Sequence, residues 1–171
     1  NKLTAAGDFV SGVANLTALG MKYTGNAATG TFTASSTTGG YSGTSGSVVI
    51  NPGSATQIAV NAGDAQSATV GTAVAILPSV IVKDVSNNVV SGVSVTFAVA
   101  TGGGSGTVLS TTTNSSGIAT VGSWTLGTTA GSNTLTATST GLTGSPVTFT
   151  ATGTVGAATQ IAINAGNAQS A

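Results

Sequence analysis

The chain has 171 residues, room for one or two domains of ordinary size, and four residues in ten are apolar, which argues against wholesale disorder. Charge is nearly absent, with three Lys, three Asp, no Arg, no Glu, no His and a net charge of zero. That balance argues against nucleic acid and anionic membrane as partners, and the absence of Cys excludes a disulfide framework.

The residue menu points to strands. Val, Ile and Thr abound, Gly and Ser punctuate, and strong helix formers are scarce. β-branched side chains are stiff at χ1 and suit a pleated surface. No apolar run reaches the roughly eighteen residues a spanning helix needs. The start of the sequence carries no signal-peptide pattern, which is uninformative in a chain that begins abruptly.

In chain order, residues 1–54 first show their nature by repetition. Thr31–Ser35 (TFTAS) matches Thr134–Thr138 (TLTAT), 103 residues later. Ser11–Ala14 matches Ser116–Ala119 at a spacing of 105, so the earlier copy carries about two extra residues in its Met21–Ala28 connection. Ala55–Ala68 reads ATQIAVNAGDAQSA and Ala158–Ala171 reads ATQIAINAGNAQSA, with Val60 and Asp64 replaced by Ile163 and Asn167. A period near 103 residues is close to the ~100 of an immunoglobulin-like domain. The sequence therefore predicts the C-terminal half of one repeat over 1–54, a complete repeat over 55–157 and the first strand of another over 158–171. Both ends fall inside a repeat, so a longer natural protein is expected.

Within the complete repeat, Gln57–Asn61 is predicted to open the sandwich, with Ala73–Ile76 as a split continuation. Val80–Asp84 follows Pro78, tolerated where a strand begins. Ser86–Asn88 is a turn, since Asn accepts the left-handed region and bonds its own backbone. Ser91–Ala100 alternates, with Val93, Val95, Phe97 and Val99 on one face. Gly102–Gly106 reads as a flexible connection. Thr107–Thr111, Ile118–Leu126, Ser132–Thr138 and Pro146–Thr152 complete the set. Val80, Val82, Val95, Phe97, Leu135 and Phe149 are the expected inward residues, and Trp124 is expected in the core rather than on a ligand platform.

The run Pro78–Gly104, PSVIVKDVSNNVVSGVSVTFAVATGGG, carries a V-x-D-x-x-x-N-x-V-x-G-V-x-V-T-F segment from Val82 to Phe97. Thr111–Gly141 adds a G-x-A-T-V segment followed by A-G-x-x-x-L-x-A. These resemble the invasin/intimin-type bacterial immunoglobulin-like repeats, over nearly the whole chain. The resemblance implies an all-β fold of tandem immunoglobulin-like antiparallel β-sandwiches and a surface protein of stalk, fibre or adhesin type. It implies no catalytic or ligand site.

The chemistry agrees with that expectation. Without His, Cys or Glu the common acid–base, nucleophilic and metal toolkits are missing, and hydroxyls without a base are inert. The chain is read as a non-enzyme, with no catalytic residue, no cofactor-binding residue, no metal ligand and no cofactor. Asp84 with Asn87 and Asn88 is the best cation candidate, but one carboxylate and two amides fall short of the six to eight oxygens calcium takes. Asp84 is expected instead to satisfy nearby backbone. Asp64 is a candidate junction residue, its counterpart Asn167 having lost the charge. Gly102–Gly106 lacks the Lys and helix of a phosphate loop. Lys22 and Lys83 raise an isopeptide staple, disfavoured because Lys83 and Asp84 point to opposite faces. Asn15 and Asn114 head acceptor triplets for N-glycosylation, with Asn114 better placed in a turn.

The expected role is a structural repeat of a long extracellular filament, stalk or adhesin shaft on the bacterial cell surface. The expected partners are copies of itself, because surfaces with so little charge associate. The alternative is a surface or phage-borne module that recognises a glycan or receptor through sandwich-end loops. Those loops are Gly, Ser, Thr, Ala and Asn, with Tyr41 the exception, which favours the shaft. Short connections at Asn51–Ala55, which includes Pro52, and Gly153–Ala157 predict restricted motion and a stiff rod.

Overall fold

The computed structural model describes residues 9–10, 13–14, 26–35, 39–165 and 168. The chain divides into a first unit, Asn1–Ile50, and a second unit, Asn51–Ala171. Lys22, Asn15 and Asn167 lie outside the described residues.

The first unit contains β1 (Phe9–Val10), β2 (Val13–Ala14), β3 (Ala28–Gly30), β4 (Thr33–Ser35), β5 (Ser42–Thr44) and β6 (Val48–Ile50). β1 pairs with β2, β3 with β6 and β4 with β5, all antiparallel. The last two pairs form one long hairpin, with Ser45 N–H donating to the Phe32 carbonyl between them at 2.8 Å.

The second unit contains β7 (Ala55–Ala62), β8 (Gln66–Thr69), β9 (Ser79–Asp84), β10 (Ser94–Thr101), β11 (Ser105–Thr107), β12 (Ser110–Thr112), β13 (Ile118–Thr120), β14 (Ser123–Thr125), β15 (Gly131–Thr138) and β16 (Val147–Thr154). One sheet runs β12-β10-β15-β16-β8, the facing layer runs β13-β9-β7, and β11 pairs with β14. The first strand is split: β7 pairs antiparallel with β9, then crosses to the other sheet, where β8 runs parallel to β16. This two-sheet topology is the all-β, immunoglobulin-like sandwich expected of the sequence.

The crossing depends on Gly63, whose φ is +83°, with a Cβ position only 2.7 Å from the Pro78 backbone. A side chain there would be strained and would collide with the strand behind it. The bend needs Gly, and Gly166 holds the matching place in the repeated segment.

Period-two alternation builds the core. β16 alternates buried and exposed residues along its whole length, placing Val147, Phe149 and Ala151 inward and Thr148, Thr150 and Thr152 outward. Val95 and Phe97 of β10, Leu135 and Ala137 of β15, Val80 and Val82 of β9, and Ile58 of β7 join them in one cluster. All six residues expected inward are at most 1% exposed. Each such apolar side chain contributes roughly 1.5–3 kcal/mol by leaving water. Trp124 is fully buried with them. Among the described residues its Nε1–H is the one buried side-chain polar atom lacking a hydrogen-bond partner, a group that costs about 1–3 kcal/mol when unmet.

Four expected elements differ. The split continuation is β8, not Ala73–Ile76; Ala73 makes only a single bridge, to Thr125. The segment after β8 is held instead by the Gln66 amide, which donates to the Ile76 carbonyl and accepts from the Ile76 N–H, both at 2.8 Å. Ile118–Leu126 is not one strand. At Val121 and Gly122 the backbone changes partner, the Val121 N–H bonding the Pro78 carbonyl and the Gly122 N–H the Thr107 carbonyl. β13 therefore pairs with β9 and β14 with β11. The glycine connection is shorter than expected, because Ser105 and Gly106 already pair with Thr125 and Trp124. Thr107–Thr111 correspondingly divides into β11 and β12 at Val108, whose φ of +49° turns the chain.

Candidate functional site

Two carboxylates of the second unit organise its backbone, and the stronger arrangement lies at Asp84. Asp84 ends β9 and is 2% exposed. The chain turns immediately after it: Asp84 N–H donates to the Asn88 carbonyl at 2.9 Å, and Asn87 N–H donates to the Asp84 carbonyl at 3.1 Å. Asn87 takes the left-handed conformation the turn requires, with φ of +65°.

The carboxylate is filled by this turn and by one distant segment. Oδ1 accepts from Ser86 N–H at 2.8 Å and Asn88 N–H at 2.9 Å. Oδ2 accepts from Asn88 Nδ2 at 2.9 Å and from Gly53 N–H at 2.8 Å. Four donors occupy the roughly four lone-pair directions of a carboxylate. The Asn88 amide, helped by the Gly53, Asn88 and Ser86 N–H groups, holds the acid below its ordinary value, against the opposing effect of burial. Gln57 closes the arrangement: its Nε2 donates to the Asp84 carbonyl at 2.9 Å and to Asn87 Oδ1 at 3.1 Å.

Asp84 therefore fastens Gly53, and with it the Asn51–Ser54 segment that leads into β7, onto the far end of β9. It is an anchor for the chain's entry into the sandwich. Its lone pairs face N–H donors, a geometry for backbone satisfaction rather than for cation capture. Among the described residues no cluster of three or more His, Cys, Asp or Glu stands together.

Asp64 lies in the bend between β7 and β8. Its Oδ1 accepts from Thr150 N–H at 2.8 Å, Thr150 Oγ1 at 3.0 Å and Ala65 N–H at 2.8 Å. The Thr150 N–H, with smaller help from the Ala65 N–H and the Thr150 hydroxyl, lowers its pKa despite some desolvation. The structure thus places Asp64 one step before the parallel β8–β16 ladder, extending the hold on β16 by a side chain.

Other singled-out residues scatter. Lys83 is half-buried on β9 beside Asp84, with the two at alternate positions of the strand. Asn114 organises its own turn, its Oδ1 accepting from Ser116 N–H at 2.9 Å and Ile118 N–H at 3.1 Å. Gly102 and Gly103 turn the chain after β10, both with positive φ. Gly53, Gln57, Gln66 and Thr150 escape a residue-by-residue reading for chemistry. The signal for three of them is repetition, since Gly156, Gln160 and Gln169 recur at the same spacing.

Among solved structures, the chain is similar to the D00–D0 domains of intimin, with a TM-score of 0.46 and 21% identity over 68% of this chain and 59% of that one. It is similar also to the adhesin InvE of Yersinia pseudotuberculosis, with a TM-score of 0.46 and 17% identity over 75% of this chain and 40% of that one. The D0–D1 domains of intimin match with a TM-score of 0.39 and 24% identity, over 65% and 53% of the two chains. These are structures of the type that the sequence resemblance named. The chain spans between 40% and 59% of their length. No protein-family model and no curated protein matches the sequence.

Proposed function

We propose that this chain is a structural segment of an extracellular, bacterial cell-surface filament, stalk or adhesin shaft, built from tandem immunoglobulin-like repeats of about 103 residues and associating with copies of itself. The observation that carries the reading is a repeated hairpin register. Ala28 pairs with Ile50 and Gly30 with Val48. At the 103-residue spacing Gly131 pairs with Gly153 and Asn133 with Ala151. Sequence repetition and strand pairing thus keep one period.

The repeat assignment of 1–54, 55–157 and 158–171 belongs to the same proposal. A shaft needs its connections held, and the Asp84 anchor on Gly53 does that for the segment entering β7. Self-association follows from the near absence of charge, which leaves little repulsion between copies, and from Thr- and Val-rich sheet edges with few Lys or Pro to guard them. A non-enzymatic role accords with a residue set that has no general base beyond its few carboxylates.

Light scattering of the purified chain over a concentration series tests the proposal. The expected result is a mass that rises with concentration and depends little on ionic strength. A strictly monomeric particle at every concentration and salt would remove self-association and leave a spacer. Saturable binding to a glycan array through sandwich-end loops would favour a recognition module instead.

A further inference from the structure

The acceptor triplet Asn114-Ser115-Ser116 has no part in the shaft role. It lies in the connection from β12 to β13, which are end strands of the two facing sheets. The connection is fixed at its base. Thr113, just before the triplet, is 4% exposed, and its hydroxyl donates to the Val90 carbonyl at 2.7 Å and accepts from the Val93 N–H at 2.9 Å. Gly117, just after the triplet, is buried, and its carbonyl accepts from the Val82 N–H at 2.9 Å. Its φ of +71° and a Cβ position 2.8 Å from the Val82 carbonyl oxygen reserve that place for glycine. Across the turn, Asn114 N–H donates to the Ile118 carbonyl and Gly117 N–H to the Asn114 carbonyl, both at 2.9 Å. Asn114, Ser115 and Ser116 themselves are all exposed.

The side-chain amide of Asn114 is engaged at its oxygen and free at its nitrogen. Oδ1 accepts from the Ser116 N–H at 2.9 Å and from the Ile118 N–H at 3.1 Å. Nδ2 has no hydrogen-bond partner among the described residues. Other amides spend that nitrogen on the protein: Asn88 Nδ2 on Asp84, Asn61 Nδ2 on Ser79 and Asn133 Nδ2 on the Gly131 carbonyl. The asymmetry has a chemical consequence. An amide nitrogen is a poor nucleophile because resonance draws its lone pair toward oxygen. It becomes reactive as a proton leaves it, and the negative charge then gathers on the oxygen. Two backbone N–H groups already stand at Asn114 Oδ1, where that charge develops, and donors fixed in advance need no rearrangement during the reaction.

We propose that Asn114 is an acceptor for N-linked sugar, its turn holding the amide ready for transfer from a sugar that carries a diphosphate leaving group. In the transfer, the bond from Nδ2 to the anomeric carbon forms as the bond from that carbon to the diphosphate oxygen breaks. The Nδ2 proton passes to a base of the transferase, and the electron pair of the broken bond leaves with the diphosphate. Neither oxidant nor reductant is consumed. Ser116 serves the amide twice: it supplies the hydroxyl that the acceptor pattern requires two residues on, and its own N–H is one of the two donors on Oδ1. The reading goes beyond the filament role and does not depend on it. A sugar at this turn is bulky and hydrated. It shields the ends of β12 and β13, which contain no Lys or Pro to guard them. The opposite edges of the two sheets, β8 and β7, carry no such cover.

The test incubates the folded chain with uridine diphosphate glucose and a transferase specific for Asn-x-Ser/Thr, and reads each site by mass spectrometry. A linear peptide of residues 112–118, which has the triplet without the frame, is the reference. The expected result is one hexose on Asn114, added at least about ten-fold faster than to the peptide, because only the chain holds both donors on Oδ1. Asn114→Gln is expected to abolish transfer at this site. Ser116→Ala is expected to lower it at least about ten-fold, whereas Ser116→Thr and Ser115→Ala keep it. Melting followed by Trp124 fluorescence checks that each variant folds. No hexose on Asn114 of the chain, or equal transfer to the Ser116→Ala variant, overturns the proposal. So does a gain at Asn114 of the deamidation mass alone, which marks ring closure by the Ser115 nitrogen and needs no hydroxyl at Ser116. Transfer to the peptide as fast as to the chain overturns the readiness assigned to the turn.

Discussion

The β3–β6 pair places Ala28 opposite Ile50 and Gly30 opposite Val48, and the β15–β16 pair repeats that register 103 residues later. Their environments are opposite. Leu135 is fully buried, whereas Phe32, in the matching position, is 43% exposed. No described residue from 26 to 50 is buried. The shared register is written in the alternation and turn residues of both segments. Burial is added by a facing layer, here β13-β9-β7, whose Val80 and Val82 meet the Leu135 face.

The sharpest way to test the contrast is truncation of an aromatic from each setting. Phe97→Ala should lower the stability of the second unit by about 3–5 kcal/mol, as for other buried aromatic truncations. Phe32→Ala should leave that transition within about 0.5 kcal/mol. Denaturant melts of the two variants, followed by Trp124 fluorescence, give the comparison, and equal losses would contradict it.

Next in size is the acid sensitivity of the anchored unit. The folded pKa of Asp84 lies below its ordinary value of 3.8. The charged form is therefore the stabilising one. Its contribution is complete above about pH 4–5, and it is lost as pH falls through the lowered folded value. Denaturant midpoints measured from about pH 6 to about pH 2 should fall on the acid side. Asp84→Asn should lower the neutral-pH midpoint and flatten the acid loss. An unchanged acid slope in that variant would assign the sensitivity elsewhere.

Asp64 should act in the same direction and more weakly, because its carboxylate is exposed on the edge of β16. Asp64→Asn should cost at most about 1 kcal/mol at neutral pH, less in high salt. The smallest expected effect has the opposite sign. Val108, β-branched, holds a φ of +49° between β11 and β12. Val108→Gly should stabilise by about 0.5–1 kcal/mol, the relief of the left-handed backbone exceeding the added chain entropy. A destabilised Val108→Gly variant would show that the side chain's contacts outweigh the strain.

These contrasts mark what is legible in the sequence. Val95, Phe97 and Phe149 can be placed because a half-buried strand writes its inward face at every second residue. The Asp84 turn is visible as an acid followed by two Asn within four residues. Its hold on Gly53 is not, since the partner lies 31 residues away and donates through backbone. β8 leaves almost no trace, because Gln66-Ser67-Ala68-Thr69 is short and polar and owes its strand to pairing with β16. The break between β13 and β14 is hidden by a continuous stretch from Ile118 to Leu126, where only backbone bonds record the change of partner.

The parallel pairing of β8 with β16 also decides how the second unit carries a load. The chain enters the sandwich on the Ala55 side of β8 and leaves it past Thr154 of β16, whose neighbour across the ladder is Thr69. Tension applied along the polypeptide pulls these two strands in opposite directions along their own axes. The ladder from Gln66–Ala151 to Thr69–Thr154 is then strained in shear, with its hydrogen bonds stretched together. A hairpin pulled from its open end would instead lose its bonds singly, in sequence. Asp64 on Thr150 and Gln57 beside Thr143 lie along the same seam and share the strain. The seam that admits the chain is therefore the seam that resists its extraction.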